Sequence, residues 1–294
     1  MSFESLRSTV QRLGASAEAL AALGAELRLR QEGTAVDPRI AERLRGVVRL
    51  VDPQLLDHLE PNDVAAALAL VNMVFGQALD LMENPRRAPG WQFQDPTILQ
   101  SQGRLSRVNV RGIEAIATQT ADLRSSLRQS GMFLDVGTGV GWLAIEAART
   151  WPALRVVGID PWEPALALAR ENRANSDVAE RVELRRQRVE DLTEMRTFTV
   201  VWLPGPFIAS EVAGQALRRV HDALSPGGWL IFGCYAPATG KLEEALTQLR
   251  DTRNGGHPWT TSEVEERLGA HKFEEIRTFS PPGPTRYVIG RRRR

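Results

Sequence analysis

The stretch FLDVGTGVGWLAIEAA, residues 133–148, combines a largely apolar strand, a turn with glycines at alternate positions and the apolar spacing of a helix. A glycine-rich turn between a strand and a helix lets the backbone approach a ligand closely, and the first amides of the helix point at that ligand. The stretch therefore predicts a strand–turn–helix unit that holds a nucleotide-like or anionic group.

The spacing of Gly137, Gly139 and Gly141 distinguishes between ligands. A dinucleotide fingerprint would need its third glycine at the position of Trp142, and a phosphate-binding loop would need a lysine followed by serine or threonine. Asp135 precedes the first glycine, where it would repel a pyrophosphate and attract a cationic group. The turn thus favours a ligand with a positive charge over a dinucleotide.

Short apolar runs alternate with helical stretches after residue 130. The strand-like runs are MFLDV, RVVGI, VELRR, FTVVWL and WLIFG. This alternation predicts a parallel sheet with right-handed crossovers and helices on both faces. Only PPGP separates FEEIRTFS from TRYVIG, so these two runs should form an antiparallel hairpin at one side of the sheet. The arginines at 291–294 are interpreted as a solvated tail.

Most of the chain before residue 130 has the pattern of helices. One helix face should carry an apolar stripe of Leu6, Val10, Leu13, Ala17, Leu20 and Leu27. Residues 64–79 are apolar nearly all round but fewer than the ~20 needed to cross a bilayer, so we interpret them as a buried or subunit-interface helix and expect no membrane association. Such apolar surfaces are most commonly covered in a symmetric dimer, which predicts a homodimer. A linker, ENPRRAPGW, and further helices, the last over about residues 108–127, lead to the first strand.

The segment LDVGTGVG resembles the first motif of the class I S-adenosylmethionine-dependent methyltransferases. The likeness continues in order over residues 131–291, through VVGIDPWEPAL, RQRVEDL, VVWLPGPF and LSPGGWLIFG. It implies S-adenosylmethionine as the cofactor and an α/β fold: a Rossmann-like, doubly wound, seven-stranded sheet with an antiparallel last strand, plus a helical N-terminal region. We accordingly expect a helical dimerisation and cap region over residues 1–107 and a cofactor-binding methyltransferase domain over residues 108–294.

The same resemblance implies which residues hold the cofactor. The glycine turn would pass under the methionine part, with Asp135 near its amino group, and Asp160 would accept hydrogen bonds from the ribose hydroxyls. Arg188 stands where the family often has aspartate, which leaves the adenine to the backbone of Val189 and to Glu190. The full expected set is Asp135, Gly137, Gly139, Gly141, Asp160, Pro161, Trp162, Val189, Glu190, Leu203 and Arg104, the last reaching the cofactor carboxylate. For Asp160 a helix cap, and for Trp162 a cover on the sheet edge, are the alternatives.

Substrate contacts should come from the loops after the strands, because ligands of parallel sheets lie outside the carboxyl ends of the strands. These loops nominate Pro204, Phe207 and Tyr235. Trp91 and Phe93, in the segment GWQFQDPTILQSQGRLSR ahead of the first strand, would form an apolar roof over the substrate or, alternatively, would only join the linker to the core.

The histidines are the obvious candidates for a base. A methyl group on a sulfonium is already activated, so a base is needed only where the acceptor holds an unfavourable proton. His257, in the loop NGGHPWTT, is the best placed, and the alternative is an imidazole that caps a neighbouring helix. His221 is interpreted as a surface residue. Cys234, the single cysteine, is interpreted as a buried filler, and no metal site is expected.

Several features favour a small substrate. LPGPF has a faint likeness to the (N/D)PP(Y/F) segment of amino-methylating enzymes, but Leu203 stands where the asparagine or aspartate that binds the target amine should be. A formal net charge of +1 and only two tyrosines provide no basic aromatic groove for nucleic acid. We therefore expect methyl transfer to a small, fairly apolar molecule of specialised metabolism, with oxygen ahead of nitrogen or carbon as the acceptor.

Two other functions stay open at this stage. One is an enzyme that uses the same cofactor for a non-methyl reaction such as a cyclisation, and the other is a non-catalytic binding protein. A cytoplasmic location is expected, because Glu4 and Arg7 stand where a secretory signal would be apolar.

Overall fold

The computed structural model describes residues 2–294, which divide into two compact units. The first unit ends at Pro85 and the second is Arg86–Arg294. The expected domain boundary between residues 107 and 108 lies inside the second unit. The residues that follow Pro85 join the second unit because Phe93 and Leu99 are buried in a cluster with Val140 of the glycine turn.

The first unit is helical. It contains α1 (Phe3–Glu32), α2 (Pro38–Val51) and α3 (Pro61–Glu83). Pro38 and Pro61 occupy the first helical positions, where a backbone N–H is not required. The core of this unit is small and consists of Leu27, Val48, Leu56, Val64 and Leu68.

The two apolar segments predicted for this unit are helical, but only part of their surface is buried. Leu6, Val10 and Leu13 in the first half of α1 are 54%, 60% and 53% exposed. Helix α3 has 23 residues, more than predicted, because its polar ends are helical as well. Within the described residues, α3 alone has the length and composition of a membrane-crossing helix, a test that the core helix of a soluble protein also passes. Its buried residues include Val64 and Leu68.

The second unit is built on a seven-stranded sheet. Its strands are β1 (Gly131–Val136), β2 (Leu154–Asp160), β3 (Val182–Arg186), β4 (Phe198–Pro204), β5 (Leu224–Tyr235), β6 (Phe273–Phe279) and β7 (Thr285–Arg292). The order is β3-β2-β1-β4-β5-β7-β6, with β1 to β5 parallel and β7 antiparallel to both of its neighbours. The doubly wound sheet with an antiparallel last strand is confirmed, as is the C-terminal hairpin.

Helices of the second unit pack around this sheet. They are α4 (Pro96–Ser106), α5 (Val108–Thr118), α6 (Ala121–Arg128), α7 (Trp142–Thr150), α8 (Glu163–Ala174), α9 (Ser210–Ala223), α10 (Lys241–Arg253) and α11 (Thr261–Ala270). The single helix predicted over about residues 108–127 was wrong, because the chain breaks between α5 and α6. Thr120 has an extended backbone there, and its β-branched side chain is a poor helix former.

The C-terminal arginines are not a solvated tail throughout. Arg291 belongs to β7 and is only 8% exposed, with ion pairs to Asp122 at 2.6 Å and Glu275 at 2.7 Å. Its guanidinium also lies over the ring of Trp229, 5.2 Å from the centroid. Arg292 Nη1 donates to three carbonyl oxygens around the C-terminal end of α9. The tail prediction was wrong for these two residues because a paired and stacked guanidinium can be buried.

Two further side chains test the sequence interpretation. Cys234 is buried, and burial raises the pKa of its thiol to about 12, which confirms a structural filler. His221 is only half-exposed, since its ring packs edge-on against Phe273 with centroids 5.2 Å apart and burial lowers its pKa. The surface assignment of His221 was therefore wrong in part, because β6 covers one side of the imidazole.

Candidate functional site

The turn from β1 into α7 has the left-handed backbone that its glycines permit. Gly137, Gly139 and Gly141 have φ angles of 66°, 55° and 81°. A Cβ on Gly139 would have only the Gly137 carbonyl oxygen near it, at 4.0 Å, so this part of the turn is open to a ligand. A Cβ on Gly141 would crowd the Cβ of Ala169 at 3.3 Å, so Gly141 serves the packing of the turn on α8.

Asp135 lies buried at the end of β1, beside this turn. The hydroxyl of Thr138 donates to Asp135 Oδ2 at 2.7 Å, and Gly158 leaves the room that Thr138 needs, since a Cβ there would lie 2.7 Å from the hydroxyl. Burial raises the pKa of Asp135 to about 7, the Thr138 hydrogen bond opposes the rise, and the charge of Asp160 adds to it. A cationic group would stabilise the ionised form of this carboxylate.

Asp160 ties the glycine turn to the end of β2. Its Oδ2 accepts from the Gly139 N–H and its Oδ1 from the Trp162 N–H, each at 2.8 Å. Burial raises the pKa of Asp160, and these two hydrogen bonds oppose the rise. The helix-cap alternative for Asp160 was wrong, because the N-cap of α8 is Trp162 and that helix start has no side-chain cap hydrogen bond. A carboxylate has about four acceptor positions, so capacity is left for the ribose hydroxyls.

The predicted adenine contacts follow β2 and β3. Val189 is buried in the core, which leaves its backbone for a ligand, and Glu190 beside it is half-buried. Pro161 is exposed, whereas Trp162 is half-buried and donates from Nε1 to the Phe93 carbonyl oxygen at 2.7 Å. This hydrogen bond joins Trp162 to the segment that follows the first unit.

That segment, residues 86–95, is called the linker here, and its aromatic residues meet the turn after β4. The ring of Trp91 lies edge-on to Phe93, at 4.9 Å between centroids, and to Phe207, at 5.4 Å. Pro204 lies on the other side of this turn, 3.5 Å from the position of a Cβ on Gly137. The predicted substrate residues of β4 and the linker thus lie close to one another and to the glycine turn.

Two other predicted contacts are less direct. The side chain of Leu203 is fully buried in the core, so the predicted cofactor contact is left to its backbone. Arg104 is exposed on α4, directly after Gly103. A Cβ on Gly103 would lie 2.2 Å from Val140 Cγ2, so this part of α4 packs tightly on the glycine turn. Arg104 is therefore placed near the turn without a contact that assigns it a role.

His257 lies beside the start of α11. Its Nε2 is 3.8 Å from Glu263 Oε1, and its ring lies 4.4 Å from the ring of Trp259. Glu263 forms the capping box of α11 with Thr260. Two roles were considered for His257, a catalytic base and an imidazole that caps a neighbouring helix. Its contacts resemble the second role, because they lie at the start of α11. Within residues 2–294, no three His, Cys, Asp or Glu side chains are arranged to hold a metal ion.

Asp251 on α10 is a buried carboxyl that the sequence analysis did not single out. It is 2% exposed, its Oδ2 has no hydrogen-bond partner among the described residues, and burial raises its pKa to about 7. Part of Tyr235, at the end of β5, reaches the surface, yet desolvation and the charge of Asp251 raise the pKa of its phenol to about 12. The surrounding sequence QLRDTRNGG gave no signal, because an aspartate between arginines is typical of a solvated helix face.

Comparison with known proteins assigns the central part of this unit. Residues 133–228 match the methyltransferase domain family, and this range includes the glycine turn, Asp160 and β4. The release factor glutamine methyltransferase of Cereibacter sphaeroides is 37% identical over 99 residues, which cover 32% of this chain and 36% of that protein. The chain therefore spans only about a third of the length of this curated relative.

Solved structures with the same architecture cover nearly the whole chain. An O-methyltransferase family protein from Burkholderia thailandensis has a TM-score of 0.67 at 14% identity, over 99% of this chain and 97% of that one. Human N-acetylserotonin methyltransferase, solved with S-adenosylmethionine, has a TM-score of 0.66 at 13% identity, over 100% of this chain and 99% of that one. The chain therefore has the fold of the S-adenosylmethionine-dependent methyltransferases, with a glycine-turn site after its first strand. Residues 133–228 belong to the methyltransferase domain family, and the cofactor is S-adenosylmethionine.

The described residues fit this cofactor. Asp135 and Asp160 are buried carboxylates whose hydrogen bonds come from backbone N–H groups and from the Thr138 hydroxyl, so a positive charge would stabilise both. Gly139 leaves space at the turn. When bound, the cofactor supplies a methyl group on a positively charged sulfur. Asp135, Asp160 and the glycine turn would hold the cofactor, and the surrounding side chains would exclude water from the methyl group.

Proposed function

We propose that the chain transfers the methyl group of S-adenosylmethionine to a small, fairly apolar molecule, with oxygen as the favoured acceptor atom and nitrogen or carbon next. The observation that carries this proposal is the aromatic cover formed by Trp91, Phe93 and Phe207 beside the glycine turn. Aromatic side chains that meet over a cofactor site exclude water and suit an apolar ligand. Phe207, in the turn after β4, thereby adds a third ring to the roof predicted from Trp91 and Phe93.

Methylation of a glutamine side chain is a second candidate, because the curated relative from Cereibacter sphaeroides is named for it. An amide nitrogen needs a hydrogen-bond acceptor beside the methyl group. Leu203 occupies the position where amino-methylating enzymes have asparagine or aspartate, and its side chain is fully buried. This difference argues against an amide acceptor and for a small molecule.

The proposal is tested with isotopically methyl-labelled S-adenosylmethionine and a small-molecule cell extract. Mass spectrometry should find one labelled methyl product and an equal amount of S-adenosylhomocysteine. Release of the nucleoside without a labelled product would favour a non-methyl reaction such as a cyclisation. Cofactor binding without either product would favour a non-catalytic protein. A role in specialised metabolism and a cytoplasmic location stay predictions.

We also propose that the first unit pairs two copies of the chain. Leu6, Val10 and Leu13 on α1 and Met82 on α3 are exposed apolar side chains, and a symmetric contact is the commonest way to cover such surface. Light scattering at micromolar concentration should give twice the chain mass of 32.6 kDa. Val10→Asp should shift the mass towards the monomer, whereas Ser8→Asp at another exposed α1 position should not. A monomeric wild-type protein would contradict the dimer.

A further inference from the structure

We propose that Asp251 is the catalytic base of this site: its Oδ2 accepts the proton of an acceptor hydroxyl while the hydroxyl oxygen takes the methyl group. This inference rests on the proposed function and adds the acceptor class, a small phenol or alcohol. Asp251 is neither part of a family motif in the sequence nor within the range 133–228 that matches the methyltransferase domain.

The backbone places Asp251 at the carboxyl ends of β4 and β5. Its carbonyl oxygen accepts from the N–H of Gly256 at 2.9 Å, in the loop that follows α10. Gly256 lies directly against the turn after β4, since a Cβ there would be 1.7 Å from the Pro206 carbonyl oxygen. The charge of Asp251 also contributes to the raised pKa of Tyr235, the last residue of β5, so the two residues lie near each other. The neighbouring ends of two parallel strands are where an acceptor should lie.

The linker reaches the same end of α10. The N–H of Gly90 donates to the Arg253 carbonyl oxygen at 3.0 Å, and a Cβ on Gly255 would lie 2.8 Å from Gly90 Cα. Trp91 comes next in the chain and packs edge-on to Phe207. Gly90 therefore connects the aromatic cover to the end of α10 that carries Asp251.

The hydrogen bonds of the fold do not account for the burial of the Asp251 carboxylate. The buried carboxylate of Asp135 accepts from the Thr138 hydroxyl and that of Asp160 from two backbone N–H groups, whereas Oδ2 of Asp251 has no partner among residues 2–294. A buried acceptor without a donor is destabilising, and groups of this kind concentrate at functional sites. The hydroxyl of a bound acceptor would provide the missing donor.

The charges around Asp251 suit a base. Arg250 on α10 favours the ionised form, but burial opposes it more strongly and raises the pKa to about 7. Tyr235 on β5 has its pKa raised to about 12, so it stays protonated at neutral pH. Arg87 of the linker lies at the same end of α10, where its Nη1 donates to the Gly90 carbonyl oxygen at 2.6 Å. A base whose pKa is near the working pH is about half ionised and still able to hold a transferred proton.

The proposed step balances in atoms and charge. The acceptor oxygen forms a bond to the methyl carbon, the carbon–sulfur bond breaks, and its electron pair stays on sulfur. The hydroxyl proton passes to Oδ2 of Asp251. The sulfur loses its positive charge as the carboxylate loses its negative charge, so the net charge of the site is unchanged. The products are a methyl ether and a neutral thioether, and the proton later returns to water.

The test compares Asp251→Asn with Glu244→Gln, an exposed carboxylate on the same helix. The probe is the hydroxyl compound of the extract to which the wild-type protein transfers the labelled methyl group. Cofactor is kept saturating, so that ionisation of Asp135 does not contribute to the rate. Asp251→Asn should lower kcat about a hundredfold and leave the Kd of S-adenosylhomocysteine within about twofold, while Glu244→Gln should change neither.

The pH profile provides a second measurement on the unmodified protein. Wild-type kcat should fall below an apparent pKa near 7, and Asp251→Asn should lose this limb. A kcat for Asp251→Asn within about threefold of wild type, a wild-type profile without the limb, or label found only on amines would overturn the assignment of Asp251 while methyl transfer itself stands. No label transfer by the wild-type protein would overturn the proposed function first, and this inference with it.

Discussion

The cofactor side of the site is held by the backbone, whereas the acceptor side is assembled from side chains of distant segments. On the cofactor side, Asp160 joins two loops through the N–H groups of Gly139 and Trp162. On the acceptor side, Trp91 and Phe207 meet from the linker and from the turn after β4. This contrast indicates that the cofactor and the acceptor are bound by separate sets of contacts. Substitutions on the acceptor side should therefore leave cofactor affinity unchanged, and substitutions on the cofactor side should leave the KM of the acceptor unchanged.

The largest effect should follow Asp160→Ala. Loss of charge-assisted hydrogen bonds to the ribose should weaken S-adenosylhomocysteine binding by about 1.5 to 3 kcal/mol, or roughly ten- to a hundredfold. The KM of the acceptor should change little. Calorimetry gives the affinity, and Asp177→Ala, an exposed carboxylate paired with Arg149, is the matched control. Unchanged affinity in Asp160→Ala would show that Asp160 only joins the two loops through the Gly139 and Trp162 N–H groups.

The pH dependence of Asp135 should give the next largest effect. Its pKa is 3.8 in a model peptide and about 7 in the folded protein, so the ammonium group of the cofactor meets an ionised carboxylate only as the pH rises through 7. S-adenosylmethionine affinity should therefore increase about tenfold between pH 6 and pH 8. Asp135→Asn should bind weakly and lose this dependence in calorimetric titrations. A flat profile in the wild-type protein would contradict the burial of an uncompensated carboxylate.

The same group predicts the sign of a stability change without cofactor. Because the folded pKa is raised, the stability contributed by Asp135 is complete below pH 3.8 and is lost as the pH rises through about 7. Asp135→Asn should therefore unfold at a higher denaturant concentration than wild type at pH 8, and the advantage should shrink towards pH 5. An advantage that grows towards low pH would have the wrong sign.

The backbone of the proposed cofactor side could be predicted from the sequence because its constraints are local. A few consecutive residues are enough to predict the left-handed backbone at Gly137, Gly139 and Gly141. The same holds for the acid at the end of β2. The parallel sheet and the C-terminal hairpin followed from apolar runs and loop lengths for the same reason. The contacts of Asp160 could be predicted only in part, because its hydrogen bond from the Gly139 N–H joins residues 21 positions apart.

Features that depend on distant partners could not be predicted. Arg291 looked like part of a solvated run, and only its pairing with Asp122 and Glu275 makes burial favourable. Asp251 looked like an exposed helix residue, because nothing in its neighbourhood shows that the linker and the loop after α10 pack at that end of the helix. The expected domain boundary after residue 107 separates α4 from the following residues, since α4 has the pattern of the helices before it, but α4 packs on the glycine turn through Gly103.

A smaller effect should follow Trp91→Ala on the acceptor side. Removing an aromatic that packs on Phe93 and Phe207 should raise the acceptor KM by about three- to tenfold, in line with about 0.5 to 1.5 kcal/mol for such ring contacts. Cofactor affinity should stay within about twofold, and Trp91→Phe should retain most of the wild-type KM. A lowered melting temperature with an unchanged KM would show that Trp91 only joins the linker to the core.

The most direct test of the cofactor assignment is the melting temperature with and without S-adenosylhomocysteine. A ligand at about a hundred times its Kd that binds only the folded protein contributes about 2.7 kcal/mol, which should raise the melting temperature by roughly 5 °C. NAD at the same concentration should cause no shift, because Asp135 and the spacing of the glycines do not suit a pyrophosphate. A shift with NAD and none with S-adenosylhomocysteine would contradict the account.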